Sequence, residues 1–319
     1  MKNTLYIIIP CFNEEEALPL TAEVLLKKLR QLVAEGKISQ RSRIMLVDDG
    51  SRDTTWGVIE RLSADYEEFC GVKLSANRGT QKALIAGMSL ASERCDVLVS
   101  TDADLQDDIN AIDRMVDEYL NGAEIVYGVR SRRKTDTFIK RFTAELYYKV
   151  LDWLECGTVF NHSDYRLLSR RAVRALMEYG ERDMFIRGIL PMVGFKSAKV
   201  SYERRERNAG KTKYTVRSLI SLATMGITSL SLKPLGLIRN LGVLMVIVAA
   251  AFLIVGLIRG SVGIAGAVAA NVWFVGGIMT FAIGIVGEYV GRVLAETKKR
   301  PRYHIEETIN LEETDGRER

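Results

Sequence analysis

The chain has 319 residues, 47% of them apolar, and a net charge of +5, enough for one full-sized domain and a smaller second part. A balance this close to neutral lacks the strongly basic footprint of a nucleic-acid-binding protein. Two histidines and four cysteines with no C-x-x-C pair argue against a His- or Cys-based metal centre and against a dithiol redox motif, and scattered thiols fit a reducing compartment.

In chain order, the N-terminus MKNTLYIIIPCFNEEE has too short an apolar stretch for a secretion signal, so the soluble part is expected to stay in the cytoplasm. Short apolar runs at Leu5–Ile9, Ile44–Val47, Val72–Leu74, Val97–Val99 and Ile125–Tyr127 read as strands. Between them, Glu14–Ala34, Thr54–Tyr66, Thr80–Ser92 and Ile109–Leu120 carry apolar residues at helical spacing. Alternation of this kind predicts an α/β domain with a mostly parallel sheet covered on both faces. Ligands of such sheets bind at the carboxyl ends of the strands. Here those ends read PCFNEE, DDGSRDTT and TDADLQDD, all polar and two strongly acidic.

The last third changes character. LGVLMVIVAAAFLIVGLI (241–258) has no charged residue, and after RGS a second apolar run covers 262–287. Each approaches or exceeds the ~20 residues that cross a bilayer. Lys211, Lys213, Arg217, Lys233 and Arg239 precede the pair, and Arg292, Lys298, Lys299, Arg300 and Arg302 follow it. The positive-inside rule therefore places both termini in the cytoplasm. The expected organisation is a catalytic domain over 1–215, interfacial helices over 216–237, and transmembrane helices over 238–259 and 262–290. A basic segment and charged tail over 291–319 would follow, disordered from Glu306 onward.

Within STDADLQDD, four carboxylates lie in seven residues: Asp102, Asp104, Asp107 and Asp108. Like charges this close need a positive partner. Asp-x-Asp on an extended segment points both side chains the same way. With no His or Cys beside them, Asp102 and Asp104 suit a hard cation, Mg2+ or Mn2+, which binds through one or two carboxylates and substrate phosphates. Asp108 instead reads as an N-cap before Ile109. Asp48 and Asp49 can accept hydrogen bonds from a base N–H or ribose hydroxyls, Gly50 permits a tight turn, and Asp53 reads as a helix cap. The P-loop and dinucleotide-fold glycine signatures do not occur.

IIIPCFNEE, LVDDGSRDTTW, STDADLQDD, VYGVRSRR, HSDYRLLSRRAV and RRERNAGKTKYT follow one another in this order. As an ordered set they resemble the polyprenyl-phosphate glycosyltransferases of glycosyltransferase family two, which include bactoprenol glucosyltransferases and dolichyl-phosphate mannose synthases. The closing GIVGEYVGRVLAETKKRPRY resembles the bactoprenol branch. The resemblance spans roughly residues 4–303 and implies a GT-A fold: a nucleotide-sugar-binding α/β domain ahead of the membrane segments. It implies that Pro10, Asn13, Glu14, Asp48, Asp49 and Asp102 bind the nucleotide and that Asp102 and Asp104 hold the metal. It further implies that Asp104, Gln106, Asp164 and Arg166 surround the reacting sugar. Arg130, Arg141, Arg207, Lys211, Lys213 and Tyr214 would approach the acceptor phosphate. Two departures stand out: Thr212 where relatives carry Ser, and Thr80 in NRGTQKAL, a segment that would tune the donor.

The implied reaction moves a sugar from a nucleotide sugar, UDP-glucose first, to a polyprenyl phosphate. N-acetylglucosamine, galactose and an amino-arabinose derivative are the alternative sugars. Asp164 is expected to hold Arg166 or a sugar hydroxyl rather than act as a base. A processive polysaccharide synthase is disfavoured by the lack of a Q-x-x-R-W motif, and a non-catalytic membrane scaffold is the reading from another class. The resemblance also implies a homo-oligomer, possibly a tetramer.

Overall fold

The computed structural model describes residues 2–130, 162–181, 184–203 and 264–311, with a few positions between 238 and 247. Arg141, Arg207, Lys211, Lys213, Tyr214, the interfacial stretch 216–237 and most of the first expected span lie outside the described residues. The chain divides into two compact units: Met1–Asp152, Gly157–Val216 and Pro301–Arg319 form one, and Trp153–Cys156 with Arg217–Arg300 the other.

In the first unit, β1 (Leu5–Cys11), β2 (Arg43–Asp48), β3 (Phe69–Leu74), β4 (Val97–Ser100) and β5 (Ile125–Arg130) alternate with α1 (Leu18–Ala34), α2 (Thr55–Asp65), α3 (Thr80–Ser92) and α4 (Ala111–Leu120). Then follow β6 (His162–Ser169), α5 (Arg170–Glu178), the short α6 (Ile186–Ile189) and β7 (Ser197–Tyr202). One eight-stranded sheet runs in the order β7-β5-β6-β4-β1-β2-β3-β8, β8 being Ile305–Ile309. The pairs β3-β2-β1-β4 are parallel, as the strand–helix alternation predicts. The order reverses at β1, whose neighbours are β2 and β4, so a crevice opens there at the carboxyl ends.

Strand β1 shows how the sequence builds both faces. Leu5, Ile7, Ile9 and Cys11 face a core shared with Leu18, Leu25, Leu29 and Leu32 of α1 and Ile112, Met115 and Val116 of α4. Ile8 points the other way, towards α3, where a side chain on Gly87 would stand 2.7 Å from Ile8 Cγ2 and 2.9 Å from Val47 Cγ2. The missing Cβ lets α3 approach the sheet, and the alternation follows from the period of two along a strand.

Three expectations are corrected. Helix α1 starts at Leu18 rather than Glu14, with a proline in its first turn, where its fixed φ and missing N–H suit a helix start. Glu14–Ala17 forms a turn in which Glu14 O accepts from Ala17 and Leu18. Asp108 is no N-cap: α4 begins at Ala111, and the Asp108 carboxylate accepts instead from the Asn110 backbone and side chain at 3.2 and 3.3 Å. The tail is not disordered from Glu306: Ile305–Ile309 forms β8, antiparallel to β3. The Asn310 amide then donates to Ser63 O and Phe69 O at 2.5 and 3.2 Å. Charge alone suggested disorder, and backbone pairing with an open sheet edge overrides it.

The second unit contains α7, Ile264–Thr297, 34 residues long. Val268, Val272, Met279, Phe281, Ile283, Val290 and Val293 are all exposed on it. Over the described residues alone, no helix is long and apolar enough to cross a membrane.

Candidate functional site

The carboxyl ends of β1, β2 and β4 gather most of the sequence-predicted residues. β1 stops at Cys11, and Asn13 takes a left-handed conformation with φ +51°. Its N–H donates to Ser51 Oγ at 2.9 Å, while its side-chain oxygen accepts from Arg52 N at 2.9 Å. Glu14 N donates to Thr55 Oγ1 at 2.8 Å. The β1 and β2 ends are thus stitched together. Asp48 and Asp49 are buried. Asp48 accepts from the Ser51 hydroxyl, and Asp49 accepts from Arg78 N and Gly79 N at 2.7 and 2.8 Å. Asp49 therefore draws the β3–α3 loop over the end of β2. Burial pushes both carboxyls up, against these hydrogen bonds. Asp53 accepts from the Thr55 N–H and hydroxyl at 3.0 and 2.6 Å, but it stands one residue before Thr54, the N-cap of α2, so it is not the cap expected of it.

After β4 the chain makes the acidic turn. Gln106 N donates to Asp104 Oδ1 at 3.2 Å around Leu105, whose φ is +52°. A leucine in the left-handed region is strained, and such strain gathers at functional sites. Asp102 lies half-buried at the start of the turn. Burial, then the charges of Asp107, Asp164 and Asp104, push its carboxyl up to about 7, with Arg130 opposing. Among the described residues no group of three or more His, Cys, Asp or Glu side chains is arranged to hold a metal. Two crowded carboxylates fit a hard divalent cation whose remaining positions go to phosphate and water.

Asp107 belongs to a different network. It is buried and accepts from Tyr202 Oη at 2.6 Å; Tyr202 Oη also lies 2.7 Å from Ser163 Oγ. The Arg130 guanidinium stands 3.8 Å from Asp107 and 3.4 Å from Tyr202 Oη. Tyr165 packs edge-on against Tyr202 and donates to Asp108 O at 3.0 Å. The end of the acidic turn is therefore pinned to β6 and β7.

Strand β6 runs antiparallel between β4 and β5. Its beginning therefore lies at the carboxyl ends of its neighbours, which carries Asp164 to the site. Ser100 Oγ donates to Asp164 O at 2.5 Å. The Asp164 carboxylate takes the Arg166 guanidinium, Gln81 Nε2 at 3.3 Å, and a fork from Arg187 at 2.7 and 3.2 Å. Burial alone would raise this carboxyl, but the Arg187 and Arg166 charges hold it well below the usual carboxylate range. Arg166 is fully buried, and its Nη1 has no hydrogen-bond partner among the described residues, nor has Gln81 Oε1.

The structure thus brings together Asn13 with Asp48 through Ser51, and Asp102, Asp104, Asp107, Arg130, Asp164 and Arg166. Pro10 lies in β1, paired with Val47. A cleft of about 330 Å3 lies behind the acidic turn, lined by Leu20, Val24, Lys28, Leu105 and Asp107 among others. A larger one, about 760 Å3, is lined by Asp96, Glu124 and Arg170 and holds none of the predicted site residues. Arg187 and Gln81 were missed as single residues. Gln81 lies in the segment expected to tune the donor, and Arg187 left one signal: a lone charge inside MFIRGIL.

Residues 6–177 match the family model "Glycosyl transferase family 2". An uncharacterized glycosyltransferase of Bacillus subtilis, YkoT, is 44% identical over 95% of this chain and 91% of its own. The prophage bactoprenol glucosyl transferase homolog of Escherichia coli is 36% identical over 94% of this chain and 97% of its own. The bactoprenol glucosyl transferase of Shigella phage SfX is 34% identical over the same shares. Among solved structures, glucosyl-3-phosphoglycerate synthase from Mycobacterium tuberculosis overlaps 72% of this chain and 79% of its own, at TM-score 0.47 and 20% identity. The chain belongs to glycosyl transferase family 2 and is a glycosyltransferase with a GT-A-like, mostly parallel α/β fold.

Proposed function

We propose that this enzyme transfers a sugar, glucose from UDP-glucose in the first instance, to the phosphate of a polyprenyl phosphate at the cytoplasmic face of the membrane. The observation that carries the reading is the meeting of an acidic turn, Asp102–Asp104, with the arginines Arg130, Arg166 and Arg187 in one unit. The first suits a cation-bound diphosphate, the second a phosphate anion. The names of the bactoprenol relatives support a lipid acceptor. The uncharged runs at 241–258 and 262–287 and the basic residues that flank them are the sequence features behind a reading of two membrane spans with both termini cytoplasmic.

A phosphate acceptor has its second pKa near ~6 and is already a nucleophile at neutral pH. The protein need not strip a proton from it. Asp164, tied to two guanidiniums, is a poor base and acts as their clamp. Asp102 and Asp104 would hold Mg2+ or Mn2+, which supplies charge neutralisation for the departing nucleoside diphosphate. Asp48, Asp49, Asn13 and Glu14 would shape the nucleoside end of the crevice, and Gln106, on the same turn as Asp104, would face the reacting sugar. In-line attack at the anomeric carbon inverts it, giving a β-linked lipid from an α-linked donor.

The test is nucleoside diphosphate release by full-length protein in detergent. UDP-glucose, UDP-N-acetylglucosamine, UDP-galactose and GDP-mannose are each supplied with and without undecaprenyl phosphate, Mg2+ and Mn2+. Release that requires both lipid phosphate and metal is expected, with UDP-glucose ahead. Release indifferent to the lipid would refute the acceptor assignment, and an α-linked product by NMR would refute the inversion.

A further inference from the structure

Strand β8 touches more than the edge of β3. Its partner β3 runs into the loop Ser75–Gly79, whose residues are all exposed at the carboxyl end of the sheet. Asp49 holds that loop from the β2 side, through the N–H groups of Arg78 and Gly79 at 2.7 and 2.8 Å. Gly50 backs it closely: a Cβ there would stand 2.6 Å from backbone atoms of Ala76 and Asn77. The opposite side is held from the far end of the sequence. Ser75 N, the first amide of the loop, donates to His304 O at 3.0 Å.

The register of β8 is shaped around this contact. Glu307 faces Lys73, but Ile305 faces Leu74, so β8 carries one extra residue, Glu306, just before the loop begins. An inserted residue of this kind bends the strand and interrupts the ladder, and such bulges gather beside functional sites. The segment around it is anchored at both ends. Arg302 Nη2 donates to Tyr179 O at 2.6 Å, and the Asn310 amide donates to Ser63 O and Phe69 O at 2.5 and 3.2 Å. Lys73 and Glu306 pair at the bulge, 3.2 Å apart. Arg302–Asn310 is thus a strap, and its bulged end lies against the first residue of the loop. A loop that its ligand must order binds that ligand more weakly than one already in place. Held by Asp49 on one side and His304 on the other, Ser75–Gly79 is in place before a nucleotide arrives.

We propose that the strap Arg302–Asn310 is a positioning element of the donor site. Through the His304–Ser75 hydrogen bond and its pairing with β3, it fixes the loop that, with Asp48 and Asp49, receives the nucleoside diphosphate. The inference rests on the reading of the Asp48–Asp49 end of the crevice as the nucleoside end. It puts no strap residue on the ligand. Removing the strap lowers donor affinity by freeing that loop, whereas a purely structural edge strand would lower stability alone.

The experiment compares full-length protein in detergent with a chain ended at Arg300 and with the full-length variant Glu307→Pro/Thr308→Pro. The prolines strip N–H groups from the β8 ladder and leave every loop residue unchanged. UDP with Mn2+ is measured by calorimetry, well below each melting temperature, and backbone exchange by hydrogen–deuterium mass spectrometry. Both altered chains are expected to bind UDP–Mn2+ about tenfold more weakly, the scale of a loop no longer held in place. Amide exchange should quicken in 75–79 and stay unchanged in the acidic turn, 102–108. UDP–Mn2+ affinity equal to that of wild type overturns the proposal, as does a loss accompanied by equally quickened exchange in 102–108. Should the shortened chain aggregate, the proline variant decides alone on the same criteria. Wild-type protein that binds neither UDP nor GDP with Mn2+ would refute the nucleoside-end reading and the proposal with it. Wild-type binding that the altered chains retain in full refutes the proposal alone.

Discussion

Asp102 and Asp164 show how two carboxylates of one site diverge. Asp102 is crowded by burial and by Asp107, Asp164 and Asp104, and its carboxyl sits at about 7. It must lose a proton to bind a cation, so Mn2+ affinity measured by EPR should rise about tenfold per pH unit up to about pH 7 and level off above it. Asp102→Asn should abolish both the affinity and its pH dependence. The sign for stability is opposite. The folded state holds the Asp102 proton more tightly than the unfolded chain, so metal-free protein loses stability as pH rises from about 4 to about 7. Melting curves of the metal-free wild type should show this slope, and Asp102→Asn should flatten it. Asp164 is held ionised by Arg187 and Arg166. Asp164→Asn leaves fully buried Arg166 without its counter-charge, for an expected loss of about 3–5 kcal/mol in urea unfolding. Arg166→Met with Asp164→Asn should recover part of that stability but no turnover. If the single Asp164→Asn variant unfolds like wild type, the clamp role is wrong.

At the scale of elements, loops are fixed by backbone geometry that composition does not reveal. Gly50 has φ +65°, and a Cβ there would lie 2.6 Å from backbone atoms of Ala76 and Asn77. Neither the conformation nor the overlap is relieved by turning a side chain. Gly50→Ala should cost about 1–3 kcal/mol in chemical unfolding and weaken UDP binding by displacing the loop that Asp49 holds. Strand β8 offers a second test. It caps the edge of β3, with Lys73–Glu306 at 3.2 Å adding an exposed ion pair of small worth. Ending the chain at His304 should lower the melting temperature and promote association through the bared β3 edge, visible by size-exclusion chromatography. An unchanged melt and a monodisperse profile would show that β8 contributes nothing to the unit.

For the whole molecule, the α/β domain was legible because it rests on local signals. The apolar runs of β1, β2 and β4 and the helical spacing of α2 and α3 each predicted their element to within a residue or two. β6 and β7 were not read. β6 is antiparallel within an otherwise parallel run, and pairing direction leaves little trace in apolar pattern. Asp102 and Asp104 could be nominated from their spacing, because a shared cation needs only adjacent carboxylates. Arg187 could not. It meets Asp164 across 23 positions through the antiparallel entry of β6 and the turn of α6.

The sequence by itself determined the sheet-and-helix alternation, the acidic strand ends, the apolar final third and the family, because each is written in residues close along the chain. The tertiary structure alone decided which carboxylate is pushed up by its surroundings and which holds arginines. Asp102 and Asp164 are the same residue type, and only their surroundings separate them: burial and three aspartates around one, two guanidiniums around the other. Charge acts through space, and the folded chain sets the distances.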